Sequence, residues 1–286
     1  MIININKPKG YTSRDVVNVV GKHLKTKKVG HTGTLDPIAT GVLVVCVGES
    51  TKLVELITST DKEYIAQIKL GIKTDTGDIT GSTLNMEAFD FSEQELLEVL
   101  KSFKGSYEQS VPIYSAVKVN GKKLYEYARE GKEVELPKRL VTIKKIELMD
   151  FKEDIIQFRV LVSKGTYIRS LIEDICNKLN TVGTMQSLIR TKQGEYYLDN
   201  SCELVDIENG KFNFMTIKDA LKDLEMIEVP SDLEKLINNG AIIPKIFKED
   251  KVVFLKDNEP ISIYQTYHQD ETKAKPYKMF NWSFCW

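Results

Sequence analysis

Between Lys28 and Gly41 the chain packs three glycines, one proline and a single carboxylate, Asp36, into fourteen residues, and then runs straight into the apolar sextet Val42–Val47. Gly30, Gly33 and Gly41 open backbone angles closed to other residues, while Pro37 fixes its own φ and pushes Asp36 toward an extended conformation. A short β-branched run of this kind reads as a buried strand. Any fold of this chain must therefore hold a shaped loop at the mouth of a core strand, where a rigid scaffold can present a reactive side chain. Asp before Pro is also an ordinary turn starter, and His, Thr and Gly decorate many loops. Composition alone leaves both readings of Asp36 open.

A chain of 286 residues suits one large domain plus a small one, or two of middling size, and is ample for a packed core. No apolar run approaches the roughly 20 residues that span a bilayer, and Met1–Pro8 lacks the basic start and apolar core of a signal peptide, so a cytoplasmic protein without membrane contact is expected. Cys46, Cys176, Cys202 and Cys285 are scattered, as are His23, His31 and His268. Neither set has the spacing of a metal site, so no metal, no other cofactor and no disulfide is expected.

The formal net charge is -1, yet the charge is uneven. Residues 1–31 carry seven Lys/Arg against one acid, Asp15, and residues 118–145 carry nine against four. Two basic stretches flanking one loop favour a polyanion such as nucleic acid, although either stretch alone is equally well a solvated face.

Periodicity predicts a strand over Ile2–Ile5 and a helix capped at Thr12 or Ser13 with Val16, Val17, Val20 and Leu24 inward. A short helix follows near Leu53–Ile57, then a strand opened by Tyr64 and ended by Gly71. Ser92–Glu95 is a capping box for a helix that buries Leu96, Leu97, Leu100 and Phe103. Pro112–Val119 reads as a strand, Asn120–Gly121 as a hairpin turn, and Lys122–Arg129 as a helix. That segment interleaves Lys118, Lys122, Lys123 and Arg129 with Tyr114, Tyr125 and Tyr127. Cations for phosphates and rings for exposed bases suit a folded RNA, and one of the tyrosines is expected to pack under the helix.

Strands over Val141–Phe151 and Ile155–Val162 precede a turn at Gly165 and a helix with Tyr167 and Arg169 at its start. A guanidinium beside an acidic loop can pair with Asp36 through two parallel hydrogen bonds, but an Arg in the first turn of a helix is equally read as an exposed side chain. Leu188–Gly194, with Arg190, adds positive charge. From about Ile227 the character changes to a β-rich appendage, with a capping box at Ser231–Glu234 and strands near Ala241–Ile243, Val252–Leu255 and Ile261–Tyr264. The apolar end Asn281–Trp286 is expected to dock on the body or on a partner.

Four segments in order, Lys7–Ser13, Val29–Gly41, Tyr114–Lys118 and Ser163–Arg169, together resemble the bacterial tRNA pseudouridine-55 synthases of the TruB family, and the likeness extends over nearly the whole chain. Val111 stands where the family often has a second proline. The resemblance implies an α+β fold: a pseudouridine synthase catalytic domain over residues 1–226 on a long mixed, mostly antiparallel sheet, with a thumb-like RNA-binding insertion near 114–139. Residues 227–286 would form a small β-rich PUA-like C-terminal domain. It implies isomerisation of the uridine at position 55 in the T-loop of tRNA, on a T-arm stem-loop, without guide RNA; the small domain and near-neutral charge raise no demand for a partner chain, so a monomer is expected. Asp36 matches the catalytic aspartate, Tyr64 the tyrosine that stacks on the target base, and Arg169 the partner of the aspartate. Tyr167 lies beside Arg169, and His31 matches a histidine near the everted bases. Lys7, Lys118, Lys122, Lys123, Arg129 and Arg190 are the expected RNA contacts.

The chemistry is consistent with these residue types. A uridine within a folded loop must turn outward to meet a carboxylate, and ring stacking of about 1–3 kcal/mol offsets part of the unstacking. An enzyme of a guide-RNA particle and a non-catalytic tRNA-binding protein are the alternatives.

Overall fold

The computed structural model describes residues 1–280, so the apolar end at 281–286, expected to dock, lies outside the described residues. Strand β1 (Ile2–Lys7) leads to α1 (Ser13–His23), started by a reciprocal cap in which the Thr12 hydroxyl accepts from the Asp15 amide at 3.1 Å and the Asp15 carboxylate accepts from the Thr12 amide at 2.9 Å. Strands β2 (Val29–His31) and β3 (Thr40–Val47) bracket the Asp36 loop, and α2 (Val54–Thr58) follows. In β4 (Lys62–Leu70) every second residue from Lys62 is buried, the period of a half-buried strand. A small hairpin, β5 (Ile72–Thr74) with β6 (Thr83–Met86), precedes α3 (Glu93–Ser102), capped by Ser92, and β7 (Gly105–Ser110).

Strands β8 (Lys118–Val119) and β9 (Lys122–Lys123) turn at Asn120 and Gly121, whose φ values of 51° and 81° are those of a tight hairpin turn. They run into α4 (Leu124–Arg129). Strands β10 (Lys138–Lys152) and β11 (Ile155–Val162), α5 (Ile168–Lys178), β12 (Gly183–Gln193), β13 (Tyr196–Tyr197) and β14 (Cys202–Glu203) complete the body.

Ten strands form one sheet in the order β14-β1-β3-β12-β4-β11-β10-β7, with β13 on β12 and β2 on β3. Two of its pairings are parallel, β1 with β14 and β3 with β12; the rest are antiparallel, as expected for a mixed α+β fold. Register across the centre aligns Gly41 of β3, Arg190 of β12 and Tyr64 of β4. Neighbours in register share a face, so this row sets the base of the site. Helices α3 and α5 cover that face, their Leu96, Leu100, Leu171 and Ile175 sharing one core with Tyr64, Ile68 and Phe158.

A second sheet of β15 (Glu225–Glu228), β16 (Ile243–Pro244), β17 (Lys251–Lys256), β18 (Glu259–Thr266) and β19 (Lys273–Met279) is β-rich as anticipated. It has its own core around Phe254 and Tyr264, and its Val253, Leu255 and Ile263 join Ile2, Val42 and Val44 of the large sheet. Among the described residues, no helix is long and apolar enough to cross a membrane.

Three local expectations fail. Residues 112–117 form no strand, because the Ser115 and Val117 carbonyls turn to accept from the Tyr125 and Leu124 amides and fold the segment onto α4. Ser231 caps no helix: the helix there spans Glu234–Asn238 with Leu233 at its N-cap. Leu188–Gly194, read only for its charge, is mostly the second half of the central strand β12.

Candidate active site

Asp36 projects from its loop into a cavity of about 550 Å³ also lined by Tyr64, Lys62, Tyr114, Tyr167 and Arg169. The Arg169 guanidinium meets the carboxylate side-on, with Nε to Oδ2 at 2.9 Å and Nη2 to Oδ1 at 3.0 Å. Two parallel charge-assisted bonds fix the direction of the carboxylate as well as its position. Arg169 is itself held, donating from Nη1 to the Thr76 carbonyl and from Nη2 to the Tyr114 carbonyl, each at 3.0 Å. Asp36 keeps 28 % of its side-chain surface open, against 8 % for Arg169. The carboxylate is therefore oriented from behind and accessible in front.

The loop that carries it is tied to three surrounding elements. Gln193 of β12 donates to the Thr32 carbonyl at 3.0 Å, and Arg190 of β12 donates to the Gly33 and Val42 carbonyls at 3.1 and 2.6 Å. The Leu35 amide donates to the Ser13 hydroxyl at 2.9 Å, at the start of α1. Lys7 Nζ, at the end of β1, donates to the carbonyls of Pro8, Tyr11 and Pro37 at 3.0, 2.6 and 3.3 Å. Beyond Pro37, Gly41 has φ 100°, and a Cβ there would fall 2.3 Å from the Arg190 carbonyl. Only glycine lets β3 lie against β12 at this point.

Two expected RNA contacts are thereby corrected. Arg190 is 1 % exposed and Lys7 is 0 % exposed; Lys7 spends all three donors, and Arg190 its Nε and one Nη2 donor, on backbone carbonyls around Asp36, while Arg190 also lines the cavity. Buried charges need such partners, so these two position the loop rather than reach phosphates. Burial pulls the Lys7 ammonium down to about 8 even though the nearby Asp36 charge opposes that shift.

Tyr64 is buried on β4 with its side chain in the cavity wall. Tyr167 is the N-cap of α5, lines the same cavity and has its amide anchored on Gln109 Oε1 at 2.8 Å. His31 does not line the cavity; its Nδ1 accepts from the Gly33 amide at 3.3 Å, and burial, helped by Arg190 and Arg14, lowers its pKa. It acts on the entry to the loop.

The segment after Tyr114 closes one side of the cavity with Ser115, Ala116 and Tyr125. Further out, Lys122 lies over the Tyr127 ring at 4.9 Å, and Lys123 and Arg129 lie over the Tyr125 ring at 5.4 and 5.3 Å. Lys118 is exposed at the start of the hairpin. The interleaving of cations and rings anticipated for this segment is present as direct contacts. Lys62 was not anticipated; it is 7 % exposed and lines the cavity two residues before Tyr64 on the same face of β4. The alternation that marked Tyr64 as inward-facing applies equally to Lys62.

Comparison with known proteins places these features in a family. The model described as TruB family pseudouridylate synthase (N terminal domain) matches residues 22–168. A protein of Clostridium tetani named tRNA pseudouridine synthase B is 44 % identical over 267 residues, covering 92 % of this chain and 91 % of its own. The protein of that name from Oceanobacillus iheyensis is 42 % identical over 295 residues, covering 98 % and 97 %. A chain in the crystal structure of a Cbf5-Nop10-Gar1 complex superposes with a TM-score of 0.70 at 25 % identity, over 98 % of this chain and 83 % of that one.

Proposed function

Since the chain belongs to the TruB family of pseudouridylate synthases, we propose that it isomerises the uridine at position 55 in the T-loop of tRNA, with Asp36 as the catalyst and without a guide RNA. It is an isomerase of the pseudouridine synthase class; the position, the catalyst and the independence from a guide are the parts proposed. The observation that carries the reading is the Asp36–Arg169 pair at 2.9 and 3.0 Å, with one face of the carboxylate open to a cavity walled by the Tyr64 ring. A flipped-out uridine would stack on Tyr64, with its glycosidic bond toward Asp36. The carboxylate is the nucleophile or the initiating group, and Arg169 keeps it aimed. Tyr167 bounds the nucleotide from the start of α5.

In this reading residues 1–226 are the catalytic domain, residues 227–286 the small PUA-like domain, and the segment near 114–139 a thumb. Lys118, Lys122, Lys123 and Arg129 would face the T-arm phosphates, and His31 would shape the loop edge nearest the everted bases. The enzyme would work as a monomer in the cytoplasm. The fold shared with a chain of a Cbf5 complex makes a guided enzyme the second reading. The 42–44 % identity to proteins named tRNA pseudouridine synthase B, against 25 % to the Cbf5-complex chain, favours the first reading.

The test is Asp36→Asn on an unguided T-arm stem-loop. RNA binding is expected to persist while pseudouridine formation vanishes. Conversion by the variant would remove Asp36 as catalyst, and failure of the unaltered chain on unguided RNA would favour the second reading.

A further inference from the structure

Lys62 and Tyr64 stand two residues apart on the inward face of β4, about 6–7 Å along the strand, and both line the cavity that holds Asp36. A pyrimidine stacked on the Tyr64 ring would present an edge to Lys62. The Lys62 ammonium donates to the carbonyls of Thr58 at 2.9 Å and Thr60 at 2.7 Å. An ammonium has three N–H donors, so one is left for the cavity. Among the described residues no carboxylate forms an ion pair with it: the nearby Asp61 pairs with Lys144, and Asp36 is taken by Arg169.

Lys7 spends all three N–H donors on carbonyls, whereas Lys62, likewise desolvated, spends two and keeps the third toward the cavity. The groups facing it are Asp61 on its own strand's approach, Arg190 on β12, Lys164 before α5, and the Asp36–Arg169 pair across the cavity. Burial first, then the Arg190 charge, bring its pKa down to about 8, which leaves the ammonium form in the majority at neutral pH. A fixed cation aimed where negative charge develops is the arrangement that stabilises a transition state without reorganisation.

We propose that Lys62 donates its third N–H to a ring carbonyl of the target uracil and stabilises the negative charge that builds on the base during isomerisation. The inference rests on the cavity being the uridine site. It holds for either point of attack by Asp36. If the C1′–N1 bond breaks at the sugar, its electron pair stays on the base, spread over N1 and the carbonyl oxygens. If the carboxylate adds to the ring, the displaced pair moves onto a carbonyl oxygen. In both cases the C1′–N1 bond breaks, C1′ is rejoined at C5, the bond to the Asp36 carboxylate breaks and returns the free carboxylate, the C5 proton leaves and N1 gains one, while Lys62 keeps its proton throughout.

The experiment compares the full-length chain with Lys62→Met and Lys62→Arg on a T-arm stem-loop under single-turnover conditions, as a function of pH. Lys62→Met is expected to lower the rate constant about 100-fold, the loss typical for one donor at a developing oxyanion, with RNA affinity within twofold. The unaltered enzyme needs the lysine protonated, so its rate falls as pH rises through about 8; Lys62→Arg should keep most of the rate and move that fall upward. A Lys62→Met rate within threefold of the unaltered chain, a loss confined to RNA affinity, or an unmoved alkaline limb in Lys62→Arg would overturn the proposal. Should Lys62→Met fail to fold, the Lys62→Arg limb decides alone. Asp36→Asn in the same assay separates the two levels: abolished conversion beside an unaffected Lys62→Met removes Lys62 only, whereas persisting conversion removes the uridine site itself.

Discussion

The loop from Lys28 to Gly41 and the arm from Tyr114 to Arg139 meet at the same cavity but are held by opposite means. The loop is bonded outward, to β12 through Thr32 and Gly33, to α1 through Leu35 and to β1 through Pro37. The arm is bonded mainly to itself: the Leu124 and Tyr125 amides donate to the Val117 and Ser115 carbonyls, and the Tyr127 hydroxyl donates to the Val119 carbonyl at 3.2 Å. Its outer contacts are half-exposed cations over rings. A region bonded to three elements moves only when they do, whereas one bonded to itself can move as a unit. The lesson is a division of labour: one wall fixes the carboxylate, and the facing wall can adjust to an RNA. The Tyr114 carbonyl on Arg169 is where the two meet.

The sharpest way to break that contrast is Arg190→Met. Methionine replaces the volume but leaves the Val42 and Gly33 carbonyls without their donor in a site that is 1 % exposed. Removing one partner from a buried polar arrangement is expected to lower global stability by about 2–4 kcal/mol. Urea unfolding followed by circular dichroism reads this directly. A midpoint equal to that of the unaltered chain would mean that the loop is not braced from β12.

The same residue marks where the sequence stops being legible. The glycine spacing around Asp36 and the alternation through Tyr64 disclosed a shaped loop and an inward ring, because both depend on local rules. Strand β12 escaped because its buried positions include Thr184, Arg190 and Gln193, and because bulges at Met185/Ser187 and Arg190/Lys192 break its two-residue period. Its polar residues look solvated until β3 and β4 are laid on either side. Lys7 failed in the same way: a lysine in a basic stretch looks like a phosphate contact, and only the fold brings three carbonyls to it. The Pro112–Val119 segment misled in the other direction, since its apolar alternation suits a strand while its carbonyls are used by Arg169 and α4. Pattern reveals which residues face inward; which polar group meets which is set by long-range register.

The next effect in size belongs to the arm. Replacing Lys122, Lys123 and Arg129 together by alanine removes three cations that neither brace Asp36 nor line its cavity wall. Each phosphate contact contributes about 0.7–0.9 to the dependence of log affinity on log salt. The slope should therefore fall by about 2, with weaker binding at physiological salt and little change in turnover on saturating RNA. Filter binding over a salt series and single-turnover assays at saturation check the two halves. A large loss of turnover with an unchanged slope would make the arm part of the fixed wall.

Smallest of all is Tyr127→Phe. The substitution keeps the ring under Lys122 at 4.9 Å and deletes only the hydroxyl that donates to the Val119 carbonyl at 3.2 Å. A neutral hydrogen bond near solvent contributes about 0.5–1 kcal/mol, and water can take over the freed carbonyl. Because the arm is bonded chiefly to itself, that loss should stay there. Amides of the β8–β9 hairpin are expected to exchange with deuterium several-fold faster, while amides of β3 and β12 and the urea midpoint keep their values. Faster exchange that spreads into β3 would show that the arm and the Asp36 loop unfold as one unit, and the division between a fixed wall and an adjustable one would fall.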